Sequence, residues 1–125
     1  MAALRVVVVD NDASLRAALQ ALLTSVGHEV QTYDSSEAFL ASGRLGSTDC
    51  LLLDLRMSGM SGLQLRQHLA QIDPTLPVVF MSADVDAVRD DFATSSAPTR
   101  FLQKPFTEED LLEAIQRAAR APRDR

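Results

Sequence analysis

Lysine is almost missing from this chain: Lys104 is the only one in 125 residues, and the other strongly basic side chains are all arginine. There is one cysteine, Cys50, and no tryptophan. A single cysteine permits no intramolecular disulfide and excludes a zinc site built on paired thiolates. Cys50 stands in an apolar run, so the expected role is an inert core thiol. Long apolar runs are absent as well. No stretch reaches the ~18 residues of a membrane span, and the opening MAALRVVVVD meets an acid too early for a signal peptide. A cytoplasmic protein is therefore expected, with no membrane contact. Nor is there an excess of positive charge. The net charge is −5 and the arginines are scattered, which argues against direct contact with nucleic acid, where phosphate binding needs clustered Lys and Arg.

What is present is an ordinary globular mixture, 46 % apolar and 23 % charged, too hydrophobic for a disordered chain. The length corresponds to about one domain. Five short apolar runs alternate with segments of helical period. The first run, Leu4 to Val9, contains four consecutive valines and reads as a strand buried on both faces. Asp12 can cap the helix that follows, with Leu15, Leu19, Leu22 and Val26 as its apolar face and Gly27 as its stop. A weaker strand spans about Glu29 to Tyr33, and a short helix after Ser35 and Ser36 carries Ala38, Phe39 and Leu40. Gly43 and Gly46 mark a loop. Cys50 to Leu53 is the third strand and delivers Asp54. Helix three shows Leu65, Leu69 and Ile72 at helical spacing and is broken by Pro74 and Pro77. Val78 to Met81 is the fourth strand and delivers Ser82. The fourth helical segment sets Val85, Val88 and Phe92 against Asp86, Arg89 and Asp90. The fifth strand is about Thr99 to Leu102. The last helix starts near Thr107, with three acids in its first turn and Leu111, Ile115 and Ala118 facing inward. Residues 1–120 are thus expected to form one domain, and 121–125 the start of a linker or tail.

Five β–α units with no repeat predict a single doubly wound α/β domain around a parallel sheet. In such sheets ligands sit at the carboxyl ends of the strands. The polar residues at those ends are Asp10-Asn11-Asp12 after strand one, Asp54 after strand three, Ser82 after strand four and Lys104-Pro105-Phe106 after strand five. Carboxylates gathered on one rim repel each other unless a cation compensates. Mg²⁺ suits such a site, because it binds through one or two carboxylates and a phosphate oxygen. A carboxylate can itself attack phosphorus, and an ammonium and a hydroxyl can hold the phosphoryl oxygens. Met57 and Met60 read as loop packing. His28 and His68 read as solvent-facing, and Asp90-Asp91 as a solvated helix face.

Taken in order, these motifs resemble the receiver domains of two-component response regulators over about residues 4 to 120, and particularly the nitrogen-fixation-regulator type with a D-x-R-M-P-x-M-S-G loop. Here that loop is DLRMSGMSG from Asp54 to Gly62, and Phe101-Leu-Gln-Lys104-Pro105-Phe106 matches the family's aromatic-x-x-K-P-F. The resemblance implies a flavodoxin-like sheet in the order 2-1-3-4-5. It implies Asp54 as phosphoacceptor for a sensor histidine kinase. Mg²⁺ would be held by Asp10, position 11, Asp54 and the backbone carbonyl of Arg56. Ser82 and Lys104 would bind the phosphoryl group, Ser82 and Phe101 would switch together, and the Lys104–Pro105 bond would be cis. Arg56 and Asp84, each two residues past a site residue, are candidates for tuning the lifetime of the phosphoryl group. The face of the fourth helix, fifth strand and fifth helix would be the output or homodimer surface, and a DNA-binding domain lying outside this chain would be the expected effector. Such a domain is a signalling module that assists its own phosphorylation and dephosphorylation rather than an enzyme acting on other molecules.

Three departures from the family pattern stand out. Asn11 replaces an acidic metal ligand, which predicts weaker Mg²⁺ binding; Asp12 is the alternative acid, although capping is its expected role. Ser58 replaces a loop proline, and Ser96-Ala97-Pro98 replaces the usual small-residue turn before strand five. Two other functions compete. In a pseudo-receiver the same fold acts as an interaction module without phosphorylation, and Asn11 is its main support. In a haloacid-dehalogenase-type phosphatase Asp10 would be the nucleophile and Asp12 the general acid, but the acidic pair Asp90-Asp91 precedes Lys104, the wrong order for that family, and Asp54 would have no role.

Overall fold

Strand β1 (Arg5–Val9) and strand β3 (Cys50–Asp54) lie side by side at the centre of a five-stranded sheet, and only the first residue of β1 is exposed among the ten. In the computed structural model of the chain, residues 3–55, 62–72, 75–83 and 99–120 are described. Beyond β1 and β3 the sheet contains β2 (Glu29–Tyr33), β4 (Val78–Ser82) and β5 (Thr99–Gln103). All pairings are parallel, in the order β2-β1-β3-β4-β5. Among the described residues the helices are α1 (Ala13–Ser25), α2 (Ser36–Ala41), α3 (Gly62–Ile72) and α4 (Glu108–Arg120), with a 3₁₀ turn at Leu45–Ser47 where only a loop is expected from sequence. The segment expected to form the fourth helix, about 85–92, lies outside the described residues, as does the tail 121–125.

The pleat divides the core in two. Val6, Val8, Cys50, Leu52, Val79, Met81 and Leu102 pack with Leu19 and Leu23 of α1 and Leu111, Ile115 and Ala118 of α4. Val7, Val9, Leu51, Leu53, Val78 and Phe80 pack with Phe39 of α2 and Leu65 and Leu69 of α3. This is why the strands read as continuous apolar runs: both faces are covered, so alternation disappears. β2, at the edge, has partly open positions and reads more weakly for the same reason.

Two helix faces differ from expectation. In α1 the buried pair is Leu19 and Leu23, while Val26 is 38 % exposed. Val26 is the C-cap, where the chain leaves the helix. Gly27 then takes φ +97°, and bonds from Gly27 N to Thr24 O and from His28 N to Leu23 O close a Schellman turn. In α3, Ile72 is 57 % exposed although Leu65 and Leu69 are buried, because it is the last helical residue. His28 also differs from the solvent-facing residue expected from sequence. It is buried, and its Nδ1 accepts a hydrogen bond from Leu4 N at 3.1 Å. His68 is exposed.

Local capping follows the sequence closely. Asp12 Oδ1 accepts from Ser14 N at 3.0 Å and Leu15 N at 3.2 Å, an N-cap that contributes about 1 kcal/mol. Thr107 and Asp110 form a reciprocal box at the start of α4, Asp110 N donating to Thr107 Oγ1 and Thr107 N to Asp110 Oδ2.

Cys50 is fully buried, and burial pushes its thiol up to about 12. At pH 8 about one such thiol in ten thousand is ionised, against roughly a quarter of free thiols. Iodoacetamide is therefore expected to alkylate the native protein about a thousandfold more slowly than the denatured chain. A native rate within tenfold of the denatured one would show that the thiol is reachable. The same shift sets a sign: above about pH 8.5 the unfolded chain loses this proton and the folded chain keeps it, so the contribution of Cys50 to stability falls as pH rises toward 12.

Candidate functional site

Register decides which strand-end residues meet. Val9 lies opposite Leu53, so Asp10, one residue beyond β1, comes level with Asp54, the last residue of β3. Ser82 ends β4 opposite Gln103, and Lys104 follows one step later. Backbone bonds extend the ladders past the strands: Asp10 N donates to Tyr33 O, Leu55 N to Met81 O, and Lys104 N to Ser82 O at 2.7 Å. Asp10, Asp54, Ser82 and Lys104 are thus placed on one rim by strand pairing, although 94 residues separate the first from the last.

The rim is dry. Asp10 is fully buried, Asp54 is 5 % exposed and Ser82 is buried. The Lys104 ammonium is shared by the two carboxylates, 3.0 Å from Asp10 Oδ2 and 3.7 Å from Asp54 Oδ2. Asp10 Oδ1 accepts from Asp12 N at 2.9 Å. The Arg16 guanidinium donates to the backbone oxygen of Asp10 at 2.8 Å, a contact with no counterpart in the sequence reading. The Lys104–Pro105 peptide is cis. Phe101, half-buried, stacks on its register partner Phe80 with ring centroids 5.7 Å apart. Gln103 Nε2 donates to Ala83 O, tying the segment after Ser82 to the end of β5. Asn11 is exposed at the rim, and Asp12 is engaged in its cap. Arg56 and Asp84 fall outside the described residues, together with Met57, Ser58, Met60 and Ser96-Ala97-Pro98.

Among the described residues the rim sets two buried carboxylates and the Ser82 hydroxyl beside the Lys104 ammonium. Such a set fits a hard divalent cation such as Mg²⁺. Among the described residues no three His, Cys, Asp or Glu side chains gather as a metal site.

Comparison with known proteins decides the family. Residues 6–116 match the response regulator receiver domain. The chain belongs to that family. This receiver domain is 41 % identical over 113 residues to the transcriptional regulatory protein TdiR of Thauera aromatica, covering 90 % of this chain and 50 % of TdiR. It therefore spans about half the length of that relative. The solved response regulator StyR is 42 % identical, with a TM-score of 0.77 over 94 % of this chain and 60 % of StyR. The regulator TrrA of Thermotoga maritima, solved in complex with Mg²⁺ and BeF, is 25 % identical, with a TM-score of 0.80 over 91 % of this chain and 97 % of TrrA. The expected doubly wound, flavodoxin-like fold with strand order 2-1-3-4-5 is the one found. The receiver is a signalling domain of two-component systems, not a member of a catalytic enzyme family, and the phosphatase alternative falls with that assignment. No helix among the described residues is long and apolar enough to cross a membrane.

Proposed function

We propose that Asp54 accepts a phosphoryl group from the phosphohistidine of a sensor histidine kinase. The observation that carries this reading is the Lys104 ammonium shared between two buried carboxylates on the rim of the sheet. An Asp54 carboxylate oxygen forms the new P–O bond as the P–N bond of the phosphohistidine breaks, and the imidazole leaves with that electron pair. Lys104 and the Ser82 hydroxyl then hold phosphoryl oxygens, so the chain contributes positioning and charge stabilisation. Asp10, Asn11, Asp54 and the backbone carbonyl of Arg56 would hold Mg²⁺, which offsets charge on the transferring group. The complex of TrrA with Mg²⁺ and BeF supports this in a related domain. Asn11 lowers the charge of the set and with it the affinity.

Phosphorylation adds charge beside Ser82 and Lys104, and Ser82 and Phe101 carry the change outward as a two-state element. The output face includes β5 and α4; the segment about 85–92, assigned to that face from sequence, lies outside the described residues. β5 and α4 border a groove of about 540 Å³ where Arg100 and Arg117 face the same space as Asp110 and Glu113. Both charge signs on one patch suit self-complementary pairing about a two-fold axis, so a homodimer formed on phosphorylation belongs to this proposal. So do a DNA-binding effector outside this chain, supported by the transcriptional relative, a linker beginning near residue 121, lifetime tuning by Arg56 and Asp84, and a cytoplasmic location.

The test is intact mass after incubation with acetyl phosphate, with and without Mg²⁺, beside Asp54→Asn. One added phosphoryl group that requires Mg²⁺ and vanishes in the variant is the expected result. A wild-type chain that never labels would instead favour the pseudo-receiver, the second reading that exposed Asn11 keeps open.

A further inference from the structure

Arg16 reaches the rim from α1 although no strand end carries it. It sits one turn into α1, where its own N–H closes the first helical bond to Asp12 O. Its side chain turns back to β1 and donates from Nη1 to Asp10 O at 2.8 Å. That carbonyl is part of the peptide unit joining Asp10 to Asn11, the two consecutive residues assigned above to Mg²⁺. Holding this carbonyl restrains ψ of Asp10 and φ of Asn11, the two torsions that set how one residue is oriented relative to the next.

The other restraints on Asp10 act elsewhere. Its N–H is held by Tyr33 O, its Oδ1 by Asp12 N and its Oδ2 by Lys104. None of these bonds holds the carbonyl, where the chain leaves the sheet and the parallel ladder ends. A charged donor on a carbonyl is among the stronger hydrogen bonds, and Arg16 is half-buried, so the bond is partly shielded from water.

We infer that Arg16 is a positioning residue: it orients the Asp10–Asn11 peptide so that the Asp10 carboxylate and the Asn11 amide oxygen converge on one cation. The inference rests on the reading of the rim as a Mg²⁺-dependent phosphoryl acceptor. It matters more here than it would with an acid at position 11, because a neutral amide has less charge to draw a misaligned ligand set together.

The experiment compares wild type, Arg16→Ala and Arg16→Lys in three measurements: Mg²⁺ affinity by calorimetry, acetyl-phosphate labelling rate at saturating Mg²⁺, and thermal midpoint. Arg16→Ala is expected to weaken Mg²⁺ binding at least fivefold and to slow labelling. Arg16→Lys, which keeps a charged donor of similar reach, is expected to return the Mg²⁺ affinity to within twofold of wild type. A lower midpoint in Arg16→Ala with Mg²⁺ affinity and labelling within twofold of wild type would overturn the inference and leave the reading of the rim intact, since Arg16 would then only brace α1. A wild-type chain that takes up neither Mg²⁺ nor phosphoryl group would overturn both.

Discussion

Lys104→Met is expected to destabilise the domain by about 2–3 kcal/mol in the absence of divalent cations. The mechanism is the loss of one partner from a buried charge cluster. Asp10 is fully buried and its Oδ2 meets Lys104 Nζ at 3.0 Å, while Asp54 lies 3.7 Å from the same ammonium. Without the ammonium, two carboxylates on adjacent strands face each other at a site where water screens them only weakly. Breaking a fully buried pair costs roughly 3–5 kcal/mol, and the lower figure here reflects the 25 % exposure of the Lys104 side chain. Methionine keeps most of the aliphatic volume, so packing contributes little to the loss. Urea unfolding of wild type, Lys104→Met and Asp10→Asn/Lys104→Met isolates the electrostatic part. The double variant removes one of the opposed charges and is expected to recover at least half of the loss. Saturating Mg²⁺ is expected to narrow the gap between wild type and the single variant, because the ion replaces the missing positive charge. A single variant within 0.5 kcal/mol of wild type, on the order of an ordinary surface substitution, would show that the rim does not depend on this cation.

Leu52→Ala is expected to be costlier, about 3–5 kcal/mol. Leu52 lies in the middle of β3 with no exposed surface, within the cluster built by α1, α4 and the first face of the sheet. β3 has strands on both sides, so its backbone has little freedom to collapse into the space left by the side chain. The cost is then the transfer energy of the lost methyl groups plus a cavity term. Ile72→Ala is the control. The spacing of helix three groups Ile72 with Leu65 and Leu69, yet it is 57 % exposed, and its truncation is expected to change stability by less than about 0.5 kcal/mol. Comparable losses at both positions in urea melts would contradict this division of the core.

Much of the rim was legible from sequence because the features that build it are local. A strand buried on both faces must be a continuous apolar run, and a polar residue ending that run must sit at the edge of the sheet. Val6 to Val9, Cys50 to Leu53 and Val78 to Met81 obey this directly, and so Asp10, Asp54 and Ser82 could be placed before any coordinates. Helix starts were equally local: an Asp or Thr side chain bonds to amides two or three residues away, as Asp12 and Thr107 do.

The features that sequence alone left open or misplaced depend on where the chain goes after an element ends. His28 follows a helix-ending glycine and has the pattern of a surface residue, but the Schellman turn brings it under the start of β1, where its Nδ1 meets Leu4 N from 24 residues away. Val26 and Ile72 keep the helical period of their buried neighbours, yet each sits at the point where its helix leaves the core. The arginine at position 16 has an ordinary sequence context, and only the packing of α1 against the end of β1 aims it at the Asp10 carbonyl. Periodicity and capping act over one or two turns of chain, so sequence by itself determined the described strands and α-helices, their order and the acids, hydroxyl and lysine that end the strands. Tertiary structure decided which partners those residues meet, because strand register and helix docking minimise exposed apolar surface across the whole chain, and that condition cannot be evaluated within any one segment.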